Sequence, residues 1–183
     1  MNIAFNSSPT GAAPIRAILD ASGPVVLAVI AGVEGPSYRP LGAMMAVMAD
    51  GARVGTLSSG CIEADIALHA GKVLATGAPQ LIRYGKGSPF IDIELPCGGG
   101  LDILLVPNPD KDVLGKVARR QAARDGCSLE IDAGTGAMTV QGQGDTARVE
   151  QKLTIRFDPP IRFLVFGKGP EASTFAALVQ SAG

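Results

Sequence analysis

Two cysteines set in glycine-rich backbone are the residues of this chain best suited to chemistry: Cys61 in GTLSSGCIEAD and Cys97 in LPCGGGLD. A thiol offers soft sulfur to a metal or a sulfur-containing centre, and neighbouring glycines let a ligand approach the main chain. At Cys97, the run Gly98, Gly99 and Gly100 can adopt backbone angles closed to other residues and turn consecutive N–H groups toward an anion. This suits a ligand that carries both an anionic group and a thiophilic centre; the competing reading is a tight hairpin with an incidental cysteine. At Cys61, a helix starting near the thiol favours the thiolate, whereas the charge of Glu63 opposes it. A functional thiol and a small packing thiol therefore both fit Cys61. Gly60, Ser59 and Ser58 would form a polar wall beside it, and either serine can cap the helix.

Arg39 in PSYRPLG is the strongest charged companion, because prolines and Gly42 hold it in an irregular loop. Its planar guanidinium can take phosphate or carboxylate through two parallel hydrogen bonds, and a loop-stabilising contact to Glu34 fits nearly as well. Tyr38 beside it suits stacking on a ligand ring or plugging the turn. The single histidine, His69, excludes most histidine-based metal and triad designs and reads as a partly buried helical residue. GTLSSG is not a nucleophile elbow. Cys127, next to Gly126, reads as closing a loop. Near the end, GKGPEA has the spacing of a dinucleotide turn, with Gly167 and Gly169 able to approach a pyrophosphate and Lys168 adding charge. The later strands and ribose-binding acid of such a fold do not follow, so NAD is not the expected cofactor.

These residues need elements to hold them. VVLAVIAGV, residues 25–33, reads as a buried strand because branched residues form a continuous apolar run. A short helix over 15–20 precedes it, after a loose N-terminal arm. A second strand over 43–48 turns at Ala49, Asp50 and Gly51 into ARVGTLS, and a helix begins near residues 60–62. Ile62, Ile66, Ala70 and Val73 share its buried side, with Asp65 and Lys72 toward water. An edge strand over 80–84, an alternating strand in PFIDIELP and a buried strand in LDILLVP bracket the two glycine corners. Residues 110–125 have helical spacing with Asp110 or Asp112 at the start. SLEIDA, GAMTVQ and VEQKLTIRF suggest further strands. The expectation is a mixed α/β (α+β) domain over residues 1–157, then, over 158–183, a linker and an incomplete Rossmann-like strand-turn-helix. Phe175, Leu178 and Val179 of that last helix are expected to pack inward.

With 183 residues and 46% apolar content the chain can form a real core, which excludes a wholly disordered reading. Lys and Arg number 16 against 17 Asp and Glu, so no basic field suited to nucleic acid is present. Cys61, Cys97 and Cys127 are far apart, show no close metal-ligand spacing and cannot all pair within a monomer. With neither a charged leader nor a run able to cross a bilayer, a reducing cytoplasm is the expected compartment.

EGPSYRPLGAMMAV, DGARVGTLSSGCIEADI, PCGGGLDILLVP and IRFLVFGKGPEA, in that order and spacing, resemble the XdhC/CoxI family of molybdenum-hydroxylase maturation proteins. The resemblance covers most of residues 25–107 and resumes at the second-domain opening. It implies an accessory chaperone rather than an enzyme, which binds molybdenum cofactor: a molybdenum-bearing pterin dithiolene, the molybdopterin, with a phosphate or a dinucleotide extension. It further implies protection of the cofactor, sulfuration by a cysteine desulfurase and delivery to an apo xanthine dehydrogenase or carbon-monoxide-dehydrogenase-like enzyme. The family's cysteine-glycine-glycine motif, implicated in holding the cofactor, matches Cys97, Gly98 and Gly99, which makes Cys97 the expected molybdenum contact. Its glycine-cysteine-hydrophobic-glutamate motif matches Gly60, Cys61, Ile62 and Glu63. Many relatives have serine-glycine-glycine before that cysteine, where this chain carries Ser59 in place of the first glycine. Some branches lack the cysteine at position 61, so Cys97 is the preferred contact. The chain is expected to be a shortened version of a longer protein, with a homodimer as one way to cover its tail. An assembly module without cofactor transfer and a small NAD-dependent oxidoreductase are the alternatives.

Overall fold

The computed structural model describes residues 12–88, 95–159 and 163–182. The continuous apolar run becomes β1, Val25–Glu34, at the centre of a five-stranded sheet. It lies between β2 (Met44–Met48) and β5 (Gly100–Pro107), while β3 (Arg53–Gly55) and β4 (Gln80–Gly85) form the edges. All pairings are antiparallel. Such sheets commonly show polar alternation because one face meets water. Here both faces are covered, so β1 needs none.

Val25, Leu27 and Val29 point toward α1 (Ala12–Asp20), α3 (Lys111–Ala122) and a second sheet. Val26, Ala28 and Ile30 point the other way, where α2 (Glu63–Thr76) lays Ile66, Ala70 and Val73 beside Ile62. Each fully buried Val, Leu or Ile contributes about 1.5–3 kcal/mol, so β1 anchors both layers. The second sheet has the order β7 (Met138–Gln141), β6 (Cys127–Asp132), β9 (Lys152–Phe157), β8 (Ala147–Val149). The very short β8 was not expected; three residues are too few to show a period. Cys127 is not a loop residue but opens β6, buried opposite Phe157, and its burial pushes the thiol pKa up.

Asp110, expected near the start of α3 as a charge favourable to its dipole, is its cap: its Oδ1 accepts the N–H groups of Asp112 (2.9 Å) and Val113 (3.1 Å). Most of the strand expected in PFIDIELP, residues 89–94, lies outside the described residues. Beyond β9, the mixed α/β region gives way to a Rossmann-like arrangement in which residues 163–169 lead through a glycine turn into α4 (Pro170–Ala182). Residues 163–167 form no sheet pairing among the described residues, because a strand needs a neighbouring edge. The expected inward packing of Phe175 and Leu178 is likewise not seen; both are exposed, since α4 packs extensively on neither sheet. Phe163 meets Phe175 edge-on at 5.7 Å between ring centroids. Among the described residues, no helix is long and apolar enough to cross a membrane.

Candidate functional site

Antiparallel register decides which loops meet. Glu34, the last residue of β1, lies opposite Gly100, which also lies opposite Gly85 at the end of β4. The loop after Glu34, the turn after Gly85 and residues 95–99, which lead into Gly100, therefore lie at one end of the sheet. The hydroxyl of Tyr84 donates to Asp65 Oδ2 at 2.7 Å and ties the first turn of α2 to that end. Asp65 is thus engaged by the sheet rather than simply facing water; burial and then this bond push the phenol pKa up. The loops that carry Arg39, Cys61 and Cys97 are gathered in this way.

The glycines at the corner have different reasons. Gly98 has φ +71°, and its N–H donates to Leu95 O at 2.8 Å, closing a turn. That N–H is engaged, so the expected row of anion-facing N–H groups does not begin there. A Cβ on Gly99 would stand 2.1 Å from Pro36 O and 3.0 Å from Glu34 O, so only glycine lets the Arg39 loop rest on the corner. A Cβ on Gly100 would fall within 2.7 Å of the Arg83 guanidinium carbon, and on Gly32 it would strike the Asp102 carboxylate. Cys97, half-buried, packs against the cluster that includes Ile62, Tyr84 and Leu95. Beside it, Gly85, Lys86, Leu95, Gly98 and Gly99 line a cleft of about 310 Å³.

Arg39 does not make the alternative contact with Glu34. That carboxylate takes Arg83 Nη2 on Oε2 and Lys86 Nζ, at 2.8 Å, on Oε1. Arg83 also donates to Asp102 Oδ1 (3.2 Å) and to the carbonyl of Lys86 (2.8 Å). Ser37 Oγ donates to Arg39 O at 2.7 Å, while Arg39 Nε is buried without an acceptor among the described residues. A buried donor left unpaired costs about 1–3 kcal/mol, so an incoming acceptor would be favoured there.

Around Cys61 the organising residue is Glu63, which the sequence alone marks only as a favourable first-turn charge. Its Oε1 accepts from Thr56 Oγ1 (2.6 Å), Leu57 N (2.9 Å) and Ser58 N (2.7 Å). Its Oε2 accepts from Ser58 Oγ (2.6 Å), Gly60 N (2.9 Å) and Ile62 N (3.2 Å). Burial alone would raise its pKa; hydrogen bonds from Ser58, Thr56 and Leu57 more than reverse this and hold it at about 2. Helix α2 starts at Glu63 with no side-chain cap at its N-cap, Ile62, so neither serine caps it in the expected way. Ser58 Oγ does accept the Ile62 N–H at 3.1 Å. The loop holds Ser59 at φ +60° and Gly60 at φ +109°, and leaves Cys61 exposed.

His69 is buried, with Nε2 3.6 Å from Asp65 Oδ2. Among the described residues, no group of three His, Cys, Asp or Glu side chains could hold a metal ion. At the far end of the chain, a Cβ on Gly169 would lie 2.5 Å from Glu171 Oε2. A carboxylate folded over that turn repels a pyrophosphate, and Gly167 leads from an exposed segment. Sequence reasoning missed Arg83, Lys86 and the anchoring role of Glu63. Two of them left signals: a lysine between the turn glycines of GKGSP, and the glutamate two residues after Cys61.

Comparison with known proteins places residues 18–85 in the profile of the XdhC and CoxI family. The chain is 33% identical to the molybdenum cofactor insertion chaperone PaoD of Escherichia coli, across 92% of this chain and 53% of that protein. It is 46% identical to a probable xanthine dehydrogenase subunit of Bacillus subtilis, across 92% of this chain and 60% of the other. The crystal structure of a xanthine dehydrogenase from Bacillus halodurans superposes with a TM-score of 0.70 at 26% identity, over 90% of this chain and 58% of that one. The chain thus spans little more than half the length of these relatives.

Proposed function

The chain belongs to the XdhC and CoxI family, and from that premise we propose that it binds molybdenum cofactor and delivers it to an apo molybdenum hydroxylase during maturation. The observation that carries this reading is the gathering, at one sheet end, of the half-buried Cys97, the cleft beside it and the loop of Arg39, whose buried Nε has no acceptor among the described residues. These residues fit the cofactor's chemistry: a soft sulfur for one end and a donor lacking an acceptor for the other.

When bound, the cofactor supplies a molybdenum centre on a pterin dithiolene with a phosphate or dinucleotide end. Cys97 would contact the molybdenum or dithiolene region, Gly98, open on its side-chain face, would let the ligand approach the main chain, and Arg39 would orient a polar group. Gly60, Ser59 and the exposed Cys61 form the second wall, held in shape by Glu63. Cys61 is also the accessible thiol through which a cysteine desulfurase would approach. The role is that of an accessory protein in the cytoplasm, and its accessory character is supported by the Escherichia coli relative, an insertion chaperone.

The test is transfer. Chain loaded with molybdenum cofactor under anaerobic conditions is mixed with an apo molybdenum hydroxylase, and enzyme activity is followed against free cofactor. Faster and fuller activation by the loaded chain is expected. Specific association with the apoenzyme but no cofactor uptake would reduce the protein to an assembly module, and saturable NAD binding with hydride transfer would replace the proposal altogether.

A further inference from the structure

We propose that Lys86 is the anchor for the anionic, phosphate-bearing end of the ligand, exchanging its carboxylate partner Glu34 for a phosphate in the cleft beside Gly98 and Gly99. This rests on the cofactor-binding reading above and adds to it the residue and the charge that would recognise the phosphate.

Four observations carry the assignment. Among the described residues, the cleft is lined by three glycines, Leu95 and one charged residue, Lys86. The backbone of Lys86 is pinned on both sides, its N–H donating to Gly99 O at 3.0 Å and its carbonyl receiving Arg83 Nε at 2.8 Å, so the residue is fixed to the cysteine corner. Its side chain is 69% exposed and meets a Glu34 side chain that is 51% exposed; such a pair is worth about 0–1 kcal/mol and is readily exchanged. Arg83 keeps the other carboxylate oxygen of Glu34 engaged when Lys86 leaves.

The charges of the cluster are also unequal. Among the described residues, Arg83, Lys86 and Arg148 face the carboxylates Glu34 and Asp102, with Arg148 3.9 Å from Asp102, so cations exceed anions by one in this network. Arg39, on the adjoining loop, adds another cation. A doubly charged phosphate monoester, or the diphosphate of a dinucleotide, restores the balance. A lysine suits this role as a movable point charge that accepts either form.

The experiment is anaerobic titration of the chain and its Lys86→Met, Lys86→Arg and Glu34→Gln variants with molybdenum cofactor released from a hydroxylase, with thermal melts confirming that each variant folds. A parallel arm uses the same cofactor after phosphatase treatment, and another uses inorganic phosphate as competitor. Expected are a loss of at least tenfold in Lys86→Met, recovery to within about threefold in Lys86→Arg, equal or tighter binding in Glu34→Gln, and no difference between parent and Lys86→Met for the phosphatase-treated cofactor. Lys86→Met binding the intact cofactor as tightly as the parent overturns the Lys86 assignment while leaving cofactor binding standing. Competition by inorganic phosphate, with intact and phosphatase-treated cofactor bound alike, shows a free-phosphate site and overturns it too. A parent chain that binds no cofactor at all overturns both readings.

Discussion

Glu63→Gln is the substitution whose outcome follows most directly from geometry. The carboxylate receives hydroxyl and main-chain donors from Thr56, Leu57, Ser58, Gly60 and Ile62, and is held at a pKa of about 2 against an ordinary value of 4.5. Each pKa unit corresponds to about 1.4 kcal/mol, so the folded loop prefers the charged form by roughly 3 kcal/mol. Glutamine is a neutral stand-in that also sets an NH₂ against N–H and O–H donors. Because the folded pKa is depressed, the contribution is fully present above pH 4.5 and is lost as pH falls toward 2. Urea unfolding at pH 7 should therefore show Glu63→Gln about 3 kcal/mol less stable, with a melting temperature lower by roughly 6–12 °C for a chain of this size. Between pH 4.5 and 2, the parent should lose stability more steeply than the variant, and the two should converge. A variant within about 0.5 kcal/mol of the parent at pH 7, or one whose deficit persists unchanged near pH 2, would refute the claim that this carboxylate builds the Cys61 loop.

Other perturbations separate the roles of neighbouring residues. Gly99→Ala should cost more than about 2 kcal/mol, because its Cβ meets main chain of the Arg39 loop, whereas Gly98→Ala, at φ +71° in open space, should cost only about 1–2 kcal/mol; equal losses in thermal melts would contradict the packing argument. Ser59→Gly, which relieves a left-handed residue at φ +60°, should be neutral or stabilising by up to about 1 kcal/mol in the same assay. A thiol reagent in native buffer should label Cys61 first, Cys97 more slowly, and Cys127 only on unfolding, as exposure dictates; early labelling of Cys127 by mass spectrometry would mean that the second sheet opens.

What could be read from the chain was whatever is written locally. The strands that became β1, β2 and β5 are apolar runs bounded by turn formers, and α2 and α3 carry apolar residues at helical spacing. The cysteine corners were legible as glycine-rich places, but the purpose of each glycine was not. Gly99 is required by Pro36 and Gly100 by Arg83, contacts that exist only once the antiparallel register is set. The same holds for Arg83 and Glu34, which are 49 positions apart and meet because the ends of β1, β5 and β4 coincide. Glu63 acts within its own loop, yet its role was hidden because a serine beside a helix start reads as a cap. The apolar residues of α4 followed a helical pattern, yet among the described residues Phe175 and Leu178 stay exposed, because the helix packs extensively on neither sheet.

The central claim is that the Cys97 corner holds molybdenum cofactor, and its most direct test is equilibrium binding. Parent, Cys97→Ala and Cys61→Ala chains are incubated anaerobically with the cofactor and passed through a desalting column, and bound molybdenum and pterin are quantified. The account predicts close to one cofactor per parent chain, at least a tenfold weaker affinity in Cys97→Ala and a smaller loss in Cys61→Ala. Retention by Cys97→Ala equal to the parent would contradict the assignment of that thiol, and no retention by the parent would contradict the proposed function itself.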